Sequence, residues 1–241
     1  AVKFVVPFDP SSRDELVNGL TAEGTERGYV TVTVSASETR VHMIDQVFHA
    51  IARQIDWDGL TRALVLAALA EEGYDTPNAM HDLTYQRVAT LNATSEAELR
   101  RAIRNRLQRM ISSDYAMTQE FRLAIMRLAQ AQLEASDIDL SEQRAIQDWL
   151  RGDLRLISAL KGSLIFQKIA RHNARDILLS LTHFLRLVGK EGMVLTLDMQ
   201  RYLAAKRSAD GSLHHTIGSV LDAYEVLRQF VGKAVLLGFD S

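Results

Sequence analysis

The chain has 241 residues, 47% of them hydrophobic and 24% charged, with a formal net charge of −2. This near-neutral balance excludes a general electrostatic attraction to nucleic acid, so any such surface must be a local patch. The sequence has no cysteine, which excludes a disulfide framework and thiolate metal sites.

Membrane and export signals are missing from the sequence. No apolar run approaches the roughly 18 residues that a membrane span requires, and the first residues lack the pattern of a signal peptide. Only three prolines occur, which favours long uninterrupted helices. The sequence therefore predicts a mostly helical cytoplasmic protein with no membrane partner.

The first 40 residues predict a strand, a helix and a second strand. Val2–Val6 is a short β-branched run that stops at a proline, and Tyr29–Val34 alternates like a strand. Between them, Arg13–Gly24 suits a helix with Ser11 or Ser12 as its N-cap. This order normally builds a parallel sheet.

From Val41 the hydrophobic period lengthens to about 3.6 residues, which predicts helices. Thr76-Pro77 resembles an N-cap followed by proline at the first helical position, and Ser95–Glu98 is a capping box. The remaining predicted helices cover about residues 43–55, 60–72, 114–135, 141–152 and 173–188, with shorter ones between residues 154 and 170.

A third strand, Met193–Leu197, ends on Asp198 and is apolar throughout, as expected for a strand covered on both faces. A helix to about Ala209, a long helix to Phe230 and a fourth strand, Lys233–Phe239, follow. A strand so close to the last residue suggests a fragment or an abbreviated fold.

The predicted fold class is α/β, with a small, mainly parallel sheet like that of P-loop NTPases and a large all-helical insertion. Residues 1–40 and 190–241 would form the α/β core, and residues 41–189 the helical insertion. The insertion is far longer than a simple crossover, which needs only about a dozen residues.

The element order is that of a P-loop ATPase of the AAA+/RecA-like kind, but the phosphate-binding loop departs from G-x-x-x-x-G-K-[ST]. Pro7 and Ser12 replace the glycines, Arg13 replaces the lysine, and Asp14 replaces the hydroxyl residue. Each change opposes anion binding, because prolines lack N–H donors and carboxylates repel phosphate. The degenerate loop positions are Pro7, Ser11, Ser12, Arg13 and Asp14.

Asp198 has two interpretations. In P-loop NTPases an aspartate at a strand end holds the nucleotide's magnesium, whereas aspartate at such a turn also caps the following helix. Met199 stands where an ATPase of this kind has its water-activating glutamate, and Glu38 is the available substitute. We therefore expect no cofactor, or ATP with Mg²⁺ if the site functions despite its substitutions.

Several segments resemble the ATP-binding P-loop proteins of bacteriophage-exclusion (BREX) defence systems. The likeness rests on SEQRAIQDWLRGD, RHNARDILLSLTHFLRLVGKEGMVLTLD, QRYL, AYEVLRQFV and GYVTVTVSASE. It implies a nucleotide-driven component of a multi-protein anti-phage complex that works on DNA. The sequence departs from the family at every position that carries ATP chemistry except Asp198.

Five arginines lie within ten residues of one predicted helix, and a phosphate-binding face is one interpretation. The favoured alternative is a solvated face paired with Glu96, Glu98 and neighbouring helices. The five are Arg100, Arg101, Arg104, Arg106 and Arg109.

Three functions remain open on the sequence. The first is a pseudo-ATPase subunit that binds other subunits of a complex, and possibly DNA. The second is an active ATPase that uses Asp198 and Glu38 at a noncanonical site, and the third is a helical protein-interaction adaptor on an α/β scaffold. A homo-oligomer is compatible with each of them.

Overall fold

A computed structural model describes residues 2–7, 9–79, 83–112, 114–134, 137–199 and 216–236. In this part of the chain the elements are α1 (Pro10–Glu26), β1 (Tyr29–Ser35), α2 (Ile44–Ala52), α3 (Trp57–Glu71), α4 (Tyr85–Leu91), α5 (Glu96–Ser112), α6 (Gln119–Ala131), α7 (Asp137–Arg151), a 3₁₀ helix (Ile157–Leu160), α8 (Ala174–Leu187), β2 (Gly192–Asp198) and α9 (Ile217–Leu236). None of the described helices is long and apolar enough to cross a bilayer.

The chain forms two compact units. The first contains Ala1–Gln54, Ala170–Arg175 and Met193–Ser241, and the second contains Ile55–Ile169 and Asp176–Gly192. The domain boundaries expected from the sequence, at residues 40 and 189, stay a prediction.

The first unit holds a parallel pair of strands, β1 and β2. The Ala36 backbone N–H donates to the carbonyl of Asp198 over 2.9 Å, so both strands end at the same edge of the sheet. Val32 and Val34 are buried on β1. The strands predicted at residues 29–34 and 193–197 are confirmed, and the mostly helical structure agrees with an α/β class.

The predicted strand Val2–Val6 is wrong. These residues form no strand, and Phe4 and Val6 are 75% and 94% exposed. A β-branched sequence becomes a strand only when a neighbouring strand accepts its backbone hydrogen bonds. In the described residues, β2 pairs with β1 instead.

The predicted strand Lys233–Phe239 is also wrong over its described part. Helix α9 extends to Leu236, and its buried Ala223 and Val226 have helical spacing. The sequence between Phe230 and Leu236 contains no proline to end the helix. Residues 237–239, and the helix and loop predicted between residues 200 and 212, lie outside the described residues.

Two predicted helix starts are corrected. Helix α1 begins at Pro10 with Asp9 as its N-cap, ahead of Ser11 and Ser12. No helix begins at Thr76-Pro77, where the described residues 76–79 are irregular, and α4 starts later, at Tyr85.

A side-chain bridge holds the segment before Thr76-Pro77. The Asn92 side chain accepts from the backbone of Asp75 over 2.8 Å and donates to its carbonyl over 2.9 Å. These two hydrogen bonds engage the backbone N–H and carbonyl of Asp75, and such side-chain bonds compete with helix formation. The capping box at Ser95 and Glu98 is confirmed, with each side chain bonding the other's backbone N–H at 3.2 Å.

The second unit has an aromatic core. Trp57, Phe121 and Phe184, from α3, α6 and α8, meet edge to face with centroid distances of 6.4 and 6.1 Å. All three are almost fully buried. Two of these helices, α3 and α6, pack against α5, which carries the arginine cluster.

Candidate nucleotide site

The structure brings the degenerate loop and the end of β2 together. Arg13 lies in the first turn of α1, and its Nη1 is 3.3 Å from Oδ2 of Asp198. The side chains are 31% and 20% exposed, respectively. Two positions separated by 185 residues thus form one ion pair at the carboxyl edge of the sheet.

A second carboxylate holds Arg13 from the neighbouring position. Asp14 Oδ1 is 2.6 Å from Nη2 and 3.0 Å from Nε of Arg13. This hydrogen bond raises the pKa of Arg13, and the charges of Asp198 and Asp14 act in the same direction. The guanidinium therefore lies between two acidic groups and is not presented as a free cation.

The side chain of Asp9 caps the N-terminus of α1. The Asp9 Oδ1 accepts from the Ser12 backbone N–H over 2.7 Å. That bond, with smaller contributions from the Ser12 side chain and the Ser11 backbone, lowers the pKa of Asp9. Pro10 has no N–H. The first-turn donors that could otherwise meet an anion are thus directed at a carboxylate.

Sequence analysis missed Asp9, although a signal for it was present. Asp followed by Pro matches the preference for aspartate at the N-cap and proline at the first helical position. The same signature was assigned to Thr76-Pro77, where no helix forms in the described residues.

Glu38 lies in the turn after β1 and is exposed. Its backbone N–H donates to the Ser35 carbonyl over 3.2 Å, which places it just beyond the sheet edge where Asp198 ends β2. Met199 follows Asp198 and is partly buried. Among the described residues no group of three His, Cys, Asp or Glu side chains has the geometry to hold a metal. Magnesium binding by Asp198 therefore stays a prediction.

The described residues at this edge differ from those of a P-loop that binds ATP with magnesium. A phosphate-binding loop offers several backbone N–H groups and a lysine. Here the Ser12 backbone N–H donates to Asp9, and Arg13 is engaged by Asp14 and Asp198. A triphosphate approaching this edge would meet three carboxylates.

Three of the five arginines on α5 are in ion pairs. Arg100 contacts Glu134 and lies 2.8 Å from Glu96, and its guanidinium stacks 4.2 Å above the Tyr85 ring. The bond to Glu96 raises the pKa of Arg100, and burial raises the pKa of Tyr85 to about 12. The Arg100 side chain is thereby fixed against its own helix and α4.

The other two ion-paired arginines bond to the end of α3. Arg106 contacts Glu71, and Arg109 lies 2.7 Å from Glu72. Arg101 and Arg104 are exposed, and neither forms an ion pair within the described residues. The arginine face is therefore largely neutralised by carboxylates.

The fold and site define a mostly helical α/β protein in which a helix start meets the end of a parallel strand through an arginine–aspartate pair. The family model described as BREX system ATP-binding protein BrxC/D matches residues 16–210, most of the chain. The chain belongs to this family, which confirms the predicted resemblance. The match begins beyond the degenerate loop and includes Asp198 and the arginine face. Comparison with curated proteins and with solved structures gave no match.

Proposed function

We propose that the chain is a pseudo-ATPase: a P-loop-derived subunit of a prokaryotic BREX-like, DNA-associated defence complex that acts by binding protein or DNA. Family membership supports the defence role. The observation that carries the loss of catalysis is the Arg13–Asp198 ion pair. It joins Arg13, at the position of the phosphate-binding lysine, to Asp198, at the position of the magnesium-binding aspartate.

Neither Arg13 nor the residues at the end of β2 suit nucleotide chemistry. Arg13 has a planar guanidinium in place of the compact ammonium of lysine, and two carboxylates already engage it. Met199 removes a carboxylate in a general-base role that contributes about 10²–10⁴-fold to a rate. Asp198 alone does not hold a triphosphate.

We expect isothermal titration with ATP and Mg²⁺ to give a dissociation constant no tighter than about 1 mM. Phosphate release should equal that of the Asp198→Ala variant, because Met199 stands in place of the water-activating glutamate. Micromolar ATP binding, or steady-state phosphate release that is lost in Asp198→Ala, would refute the proposal.

An active ATPase with a noncanonical site is the second candidate. The observation in its favour is that Glu38 follows β1 and Asp198 ends β2 at the same sheet edge, with the partly exposed Arg13 beside Asp198. In that case Glu38→Gln should abolish phosphate release without changing ATP affinity.

The proposed partners are other subunits of the complex, and possibly DNA or a second copy of the chain. A cytoplasmic location is part of the same proposal. If both nucleotide tests are negative, the interaction surfaces of the helical unit become the main functional elements.

A further inference from the structure

The second unit contains a groove of about 550 Å³ lined by α5, α6 and α7, with Tyr85 of α4. This volume lies in the range of about 300–1,000 Å³ that is typical of binding sites. All of its lining residues belong to the second unit. The groove is thus separate from the Arg13–Asp198 site.

The groove presents both polar and apolar surface. Leu123 and Met126 of α6 line it and are only partly buried, whereas Ile146 of α7 is fully buried. Gln108 and Gln130 add amide donors and acceptors. The surface therefore suits a ligand that has apolar as well as polar groups.

Among the described lining residues, Arg104 differs from Arg100 and Arg127 in having no ion-paired carboxylate. Arg100 contacts Glu134, and Arg127 Nε lies 3.9 Å from Glu142 while its Nη2 donates to the Gly162 carbonyl over 3.2 Å. Arg104 lines the same groove, is exposed, and has no ion-pair partner within the described residues. Arg104 thus presents a positive charge next to apolar side chains, with no ion-paired carboxylate among the residues that the structure describes.

This combination disfavours nucleic acid. Arg100 and Arg127 are engaged by Glu134 and Glu142, so they do not offer the row of cations that successive phosphates require. Tyr85 is buried beneath Arg100 and offers no free ring face for base stacking.

We propose that the groove binds an acidic, partly apolar segment of a partner protein. A carboxylate of that segment meets Arg104, and its apolar side chains cover Leu123 and Met126. The charge complementarity at Arg104 supports this occupant. The inference rests on the proposed function only in supposing a protein partner, and it does not depend on the state of the nucleotide site.

The test uses a fluorescein-labelled helical peptide with leucine on one face and glutamate on the other. We expect it to bind the full chain, and Arg104→Glu to weaken binding at least about tenfold, or about 1.4 kcal/mol. Arg101→Glu is the matched control, since Arg101 is exposed on the same helix but does not line the groove. It should change affinity less than about twofold. Met126→Glu gives a second variant that should weaken binding.

A peptide with lysine in place of glutamate should bind more weakly, as should oligo(dT) of similar length. Equal affinity for the lysine peptide, equal weakening by Arg101→Glu, or tighter binding of oligo(dT) that depends on Arg104 would overturn the inference. The titrations contain no nucleotide, so ATP hydrolysis would refute the pseudo-ATPase proposal and leave the peptide result unaffected.

Discussion

Asp9 lies immediately before α1, where a bound phosphate would otherwise meet the helix start. Its carboxylate accepts from the backbone N–H of Ser12 and holds the first turn in place. A negative side chain at this end of a helix is stabilising because of the helix dipole. The same contact that stabilises the helix therefore competes with anion binding.

A pH dependence follows from this cap. The hydrogen bond from Ser12 lowers the pKa of Asp9 below its ordinary value of 3.8. A lowered folded-state pKa means that the stabilisation is complete above the unfolded-state pKa and is lost as pH falls through the folded-state pKa. The asparagine of Asp9→Asn does not titrate. We therefore expect this variant to lose less thermal stability than the native chain when the pH falls below 3.8.

The measurement is the difference in melting temperature between the native chain and Asp9→Asn, across about pH 3 to pH 7. Asp9→Ala controls for loss of the cap and should be less stable than Asp9→Asn throughout. A difference between the native chain and Asp9→Asn that does not change with pH would show that the Asp9 carboxylate contributes no titratable stability.

Among the elements, α1 packs closely against the sheet at one glycine. A Cβ at Gly24 would lie 2.6 Å from Cγ2 of Thr31 and 3.6 Å from Cγ2 of Val194, so no side chain fits there without movement. Gly19, on the same helix, has open space around it. Glycine is unfavourable inside a helix, by about 1 kcal/mol relative to alanine. Its presence at residue 24 therefore reflects packing.

We expect Gly19→Ala to stabilise the protein by about 0.5–1 kcal/mol. Gly24→Ala should destabilise it by about 1–3 kcal/mol, the usual cost of overpacking. Urea denaturation measures both. In the double variant Gly24→Ala/Thr31→Ser the offending methyl group is removed, so stability should recover. Equal gains from both glycine substitutions would show that α1 does not pack closely on β1.

For the molecule as a whole, charge limits what the arginine face can bind. The net charge is −2, and Arg100, Arg106 and Arg109 are already paired with glutamates. Phosphate contacts by these residues would require breaking those pairs. Arg101 and Arg104 are the two members of the face without an ion pair in the described part of the chain.

We therefore expect any binding to duplex DNA to be weak, with a slope of log affinity against log salt no steeper than about −2, because each neutralised phosphate contributes about −0.9. Replacing both Arg101 and Arg104 with alanine should nearly abolish the slope, whereas Arg109→Ala should leave it unchanged. Fluorescence anisotropy across a salt series measures this. A slope near −4 or steeper would mean that the paired arginines exchange glutamate for phosphate.

Local patterns in the sequence determined a substantial part of the fold. The alternation in residues 29–34, the apolar run at 193–197 and the capping box at Ser95 each formed as predicted. The sequence also determined family membership, because the likeness depends on residues spread along most of the chain. The strands and the capping box are encoded within short segments, where side-chain period and caps act on their own backbone.

Tertiary structure decided the rest. Val2–Val6 has strand character but no strand beside it, and Arg13 meets Asp198 across 185 positions of sequence. Three arginines of α5 are paired with Glu71, Glu72 and Glu134, which lie far from them in sequence. A strand forms only beside another strand, and the electrostatic effect of a charged side chain depends on the groups around it. Both depend on contacts between distant residues, which periodicity and composition do not specify.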